Sequence, residues 1–237
     1  MWGLQQLEKQ GHISLTENYP SRIAAQLSTA EIDVGLIPVA VLPLLPTATV
    51  VGAHCIATNG EVGSVCLFSK QPLEQIDRVL LDYQSRTSVL LTQLLFKEFW
   101  NKEVVFAPAT DESYIDQIEG STAGLIIGDR AFAARTRFPY CYDLGAAWKS
   151  YTGRSFVFAG WASLIPLTSS FIELFDQANA MGLLQIDKIA AQFQPRAAYD
   201  LRHYFTANID YNLTLDKKES LRQFIAAIQA LPATNHF

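Results

Sequence analysis

Four short stretches hold the side chains best suited to chemistry. The first is Ser85-Arg86-Thr87-Ser88, three hydroxyls and a guanidinium between the apolar pair Leu80-Leu81 and the apolar run VLLTQLLFKEFW. A hydroxyl at a helix start accepts from the free N–H groups there, which accounts for one of the three. An arginine at that end opposes the helix dipole by a few tenths to about 1 kcal/mol, and a bound anion reverses the sign. Free N–H groups, hydroxyls and a guanidinium together make a carboxylate or phosphate site, so the stretch predicts a small anionic ligand, with plain capping as the simpler reading.

The second stretch is GLIIGDR, Gly124 to Arg130, a buried strand ending in Gly128 with Asp129 set to open a helix. Cap and site readings both stay open, because glycine in a tight turn and aspartate at a helix start are ordinary. The third, Gly35 to Pro38, ends a strand with Leu36, Ile37 and a proline that fixes a turn. On its own it reads as a loop. The fourth is WKSYTGR, in which Trp148 and Tyr151 offer flat walls for a cyclic ligand, though aromatic residues belong more often to a core.

The elements that must position these stretches alternate. Apolar spacing predicts a helix end over Leu4 and Leu7, a strand HISLTE, a helix over Pro20 to Leu27 and a strand over Asp33 to Ile37. Such short, wholly apolar strands suggest a parallel sheet buried on both faces. A further strand is expected over residues 60–68, then a short helix in 71–76. A second set follows: strand 79–83, helix 87–100, strand 103–107, helix 111–119, strand 123–128 and a helix from Asp129. A strand over Phe156 to Ala162 leads into a tail, from Thr168 on, that reads as wholly helical.

Two α/β units result, with residues 1–68 plus 156–237 forming one lobe and 69–155 the other. Strands 60–68 and 156–162 are the expected crossings. Ligands in such bodies lie between the lobes, at the carboxyl ends of strands. The absence of a Gly-, Pro- or Ser-rich linker predicts hinge closure rather than independent tumbling. The helix that begins at Met1 has no strand or cap before it, which suggests a missing N-terminal strand and loop.

Composition narrows the function. With 237 residues, 49% hydrophobic and 17% charged, the chain can bury a large core. A net charge of −5 and no dense Lys/Arg run speak against nucleic acid or an anionic membrane surface as partner. The longest apolar run is broken by Pro38, Pro43 and Pro46, so no membrane helix is expected. Cys55, Cys66 and Cys141 read as free thiols of a reducing compartment, hence a cytoplasmic location. They and His12, His54, His203 and His236 lack metal-ligand spacing, and no metal is expected. No GxGxxG, Walker or GxSxG motif is present, which argues against a nucleotide cofactor and the commonest acyl-transfer mechanism.

In this order, TENYPSRIAAQL, IDVGLIPVAV, GEVGSVCLFSKQPLEQIDRVLLDYQSRTS, TAGLIIGDRA and YDLGAAWKSYTG resemble the chorismate dehydratases of the futalosine route to menaquinone, over essentially the whole chain. The sister dihydroxynaphthoate synthases usually carry a histidine near the position of Gly128. The resemblance implies an α/β, two-lobed type II periplasmic-binding-protein-like fold with the ligand cleft between lobes. It implies a hydro-lyase that converts chorismate to 3-[(1-carboxyvinyl)oxy]benzoate without cofactor, as a monomer or homodimer. The alternative is a non-catalytic solute-binding protein for a carboxylated cyclic ligand. Under the resemblance Ser85, Arg86, Thr87 and Ser88 capture substrate carboxylates, Gly128 and Asp129 form the facing turn, and Trp148 and Tyr151 wall the ring; Ser64, Leu36, Ile37 and Pro38, at the cleft edge, complete the expected substrate-binding set. The family opens with a strand and a loop like YLNxxP, whose asparagine assists elimination and which this chain lacks. Asp129 is the expected substitute as catalytic base.

Overall fold

The computed structural model describes residues 1–197 and 199–231, Arg196 through its backbone alone; His236 lies outside them. Helix α1 (Trp2–Lys9) packs Gly3, Leu4 and Leu7 against α6 (Ser169–Leu183). A Cβ on Gly3 would stand 1.7 Å from the Ala178 carbonyl oxygen, so only glycine allows this crossing. Helix α2 (Pro20–Ser28) starts with proline, whose missing N–H costs nothing there, and buries Ala24 and Leu27 on Ile37, Val41 and Ala162.

The first sheet holds β1 (Gly35–Pro38), β8 (Phe156–Ser163), β2 (Thr49–Thr58) and β9 (Asp210–Asn212), in that order. Every pairing in it is antiparallel, which corrects the parallel sheet expected for this unit. Burial on both faces makes an apolar strand in either case, so composition does not distinguish the two. Residues 12–17 alternate half-buried Ile13 and Leu15 with exposed neighbours, yet form no strand among the described residues; Leu15 N–H bonds the Glu8 carboxylate instead. Strand β2 falls in a region left unassigned by the proline-broken apolar pattern.

The second sheet runs β5 (Val105–Pro108), β4 (Arg78–Leu81), β6 (Thr122–Ile127), β3 (Val65–Ser69), β7 (Tyr140–Asp143). Its β5, β4 and β6 are parallel, and β3 and β7 are antiparallel to their neighbours. Because β3 belongs here, residues 65–68 leave the first lobe, and the crossing is the loop 59–64 rather than a strand over 60–68. Helix α3 (Thr87–Glu98) joins β4 to β5, a short 3-10 turn (Glu112–Gln117) replaces the helix expected over 111–119, and α4 (Asp129–Ala134) follows β6. Helix α5 (Leu144–Thr152) leads back to β8.

The tail is not wholly helical. After α7 (Ile186–Phe193) and the single turn α8 (Leu201–His203) comes a π-helical turn (Tyr204–Asn208), then β9, then α9 (Leu215–Gln229). One core cluster joins Val39, Ala57 and Phe156 of the first unit to Leu67, Val79 and Leu91 of the second, with Trp148 and Phe224 between them. No helix among the described residues is long and apolar enough to cross a membrane.

Candidate functional site

The turns after β4 and β6 leave neighbouring parallel strands on the same side of the sheet, and a buried ion pair fastens them together. The Asp82 carboxylate, fully shielded from solvent, accepts from Gln84 N–H (2.7 Å), the Tyr114 hydroxyl (2.8 Å) and Arg130 Nη2 (2.7 Å). Arg130 also donates to Gln84 Oε1 at 3.0 Å and lies over the Tyr83 ring. Burial, then the Asp82 charge, pushes the Tyr114 phenol well above its ordinary range, so it stays a donor. A buried charge needs this set of partners, and the set fixes the two turns relative to each other.

Within the first turn most of the hydroxyls are already engaged. Ser85 Oγ accepts from Ser88 N–H at 3.1 Å, the capping bond expected of one of them. Thr87 is buried; its Oγ1 donates to the Phe158 carbonyl (3.1 Å) and accepts from Ala40 N–H (3.3 Å). Both partners belong to the first unit, so the start of α3 lies on the seam between the sheets. Ser88 is buried, and its carbonyl accepts from Thr92 Oγ1. Arg86, half-buried, is the N-cap residue.

The second turn is open. Gly128 has φ 67° and ψ −151°, a conformation that strains any other residue, and its N–H donates to the Ser64 carbonyl at 2.8 Å. Among the described residues, its two chain neighbours aside, no atom lies within 4 Å of where a Cβ would stand. Asp129 is exposed at the start of α4, and its Oδ1 accepts from the Tyr199 hydroxyl at 2.8 Å.

The tail supplies a third wall. The hydroxyls of Ser64 and Tyr204 lie 2.9 Å apart. Tyr199 stacks on Phe132 at 3.7 Å between ring centres, and Tyr204 meets both rings edge-on. Burial first, then Asp129, pushes the Tyr199 phenol up; Tyr204 is raised by burial and by Asp129, against the opposing bond from Ser64. Neither tyrosine stands out in the sequence. The tyrosine-rich string YDLRHYFTANIDY was the available signal, but their partners lie 70 and 140 residues away.

Four expected site residues are placed elsewhere. Ile37 is in the core beside α2, and Leu36, half-buried, faces a separate cavity of about 290 Å³ that Trp161 and His54 also line. Trp148 is fully buried and donates to Ser220 Oγ at 3.1 Å, so it cannot wall a ligand. Tyr151 packs on Phe99, just past the far end of α3 and about 20 Å along that helix from Arg86. Pro38, half-buried, ends β1 beside the Val39–Leu44 turn that Thr87 touches.

Residues 1–230 match the model of a family described as menaquinone biosynthesis. The chain belongs to that family. It is 29% identical over 197 residues to a chorismate dehydratase of Thermus thermophilus, covering 73% of this chain and 70% of that protein. Among solved structures, protein AF1704 from Archaeoglobus fulgidus superposes with a TM-score of 0.73 at 15% identity, covering 96% of this chain and 92% of its own. A Candida albicans protein with the generic periplasmic binding protein fold gives 0.64 at 11%, with 99% and 88% covered. The aliphatic sulphonate binding protein SsuA of Escherichia coli gives 0.61 at 13%, with 96% and 83% covered. This family member thus has a periplasmic-binding-protein-like fold.

Proposed function

We propose that the chain is a carbon–oxygen lyase that dehydrates chorismate to 3-[(1-carboxyvinyl)oxy]benzoate. Family membership and the likeness to a chorismate dehydratase support the substrate. The observation that carries the reading is the open Gly128–Asp129 turn, where an exposed carboxylate accepts from the Tyr199 hydroxyl of the tail and the neighbouring Gly128 N–H donates to the Ser64 carbonyl of the crossing loop. Loss of one ring proton and the adjacent hydroxyl makes the ring aromatic, so the protein needs to hold the carboxylates, take a proton and help hydroxide leave. Arg86 and Ser85, at the start of α3, hold a substrate carboxylate with the helix's free N–H groups. Asp129 takes the ring proton. Three free cysteines support a cytoplasmic setting.

The test is to incubate the chain with chorismate and follow products by liquid chromatography with mass detection. A product lighter by one water is expected. Chorismate that raises the melting temperature yet is recovered intact would make the chain a binder.

A further inference from the structure

We propose that Tyr204 is the acid that protonates the departing hydroxyl, which adds a residue to the dehydratase reading and rests on it. Its phenol is held 2.9 Å from Ser64 Oγ, and the Ser64 carbonyl in turn holds Gly128 N–H at 2.8 Å. The hydroxyl pair is thus anchored one residue from Asp129, beside the open space at Gly128. Tyr204 opens the π-helical turn, an irregularity frequent at functional sites. Tyr199 is less suited to the role, because its proton already serves the Asp129 carboxylate. Tyr204 instead pairs with a neutral hydroxyl that can both give and accept, so Ser64 can support the phenolate as it forms.

The groups facing Tyr204 are Asp129 and Phe132 from α4, Ser64 from the crossing loop, Tyr199 from the segment before α8, and Tyr211 from β9. Burial, with Asp129 adding to it, raises the phenol above the ordinary tyrosine range, which keeps it protonated through neutral pH. A phenol is by nature a stronger acid than water, so it can give its proton to a departing hydroxide.

In the step, the ring C–H bond breaks and its proton goes to Asp129. The electron pair forms the third ring double bond as the C–O bond to the hydroxyl breaks. The departing oxygen takes the Tyr204 proton and leaves as water. The proton on Asp129 returns to the phenolate through solvent at Gly128, which restores both groups.

Tyr204→Phe should lower kcat on chorismate about 100-fold or more with KM within about threefold of the parent. Fluorotyrosine in place of Tyr204 lowers the phenol pKa, and the alkaline limb of the kcat profile should move down with it, which a purely structural residue would not do. If Tyr204→Phe fails to fold, Ser64→Ala serves instead, with a loss of about tenfold in kcat expected. A kcat within about threefold in the folded variant, or an alkaline limb that ignores the fluorine, overturns the role of Tyr204 alone. A parent chain that leaves chorismate unchanged overturns the dehydratase reading and this role with it.

Discussion

The two turns that follow β4 and β6 have opposite characters. The turn at Asp82–Ser88 is rich in polar groups, yet nearly all of them are engaged inside the protein: Asp82 by three donors, Ser85 by the helix start, Thr87 by two backbone groups of the first unit. The turn at Gly128–Asp129 has one carboxylate and a bare glycine, and it faces open space. A string of hydroxyls reads as a site, but here it chiefly assembles the two halves of the molecule. The sparse turn is the one that keeps its carboxylate exposed.

This contrast can be broken at several points. The largest effect should come from Arg130→Ala, which strands the buried Asp82 carboxylate and should cost about 3–5 kcal/mol in a denaturant titration. A cost below about 1 kcal/mol would mean that the two turns are held together by something else. Next, Arg86→Ala should weaken chorismate binding by about 2 kcal/mol or more by calorimetry, through loss of a charge-assisted bond. An unchanged dissociation constant removes Arg86 from the site. Gly128→Ala should cost about 1–3 kcal/mol from backbone strain alone, since nothing crowds the position; a melting temperature equal to the parent's would contradict this. Smallest of all, Tyr151→Leu should leave KM within about twofold, because Tyr151 packs on Phe99 far from both turns.

The sequence made much of the second unit legible, because its strands and helices alternate with ordinary signals: the apolar run of α3, the Gly128 turn, the aspartate opening α4. It was less informative wherever a residue's role depends on a distant partner. Trp148 looks the same in sequence whether it faces a cleft or a core, and the residue that decides is Ser220, 72 positions later. Apolar β1 would suit a parallel or an antiparallel sheet equally, and its neighbour β8 comes from the far side of the second unit. The alternation in HISLTE was real as burial but found no strand to pair with among the described residues. Tyr199 and Tyr204 reach Asp129 and Ser64 only because the helical tail is broken by a π turn and returns to the seam.

The most direct test compares turnover of chorismate by Asp129→Asn and Ser85→Ala, measured side by side with the parent. If the open turn performs the chemistry, Asp129→Asn should lose about 100-fold or more in kcat while Ser85→Ala stays within about tenfold. The opposite order, with Asp129→Asn near the parent and Ser85→Ala inactive though folded, would contradict the account and move the reacting group to the start of α3.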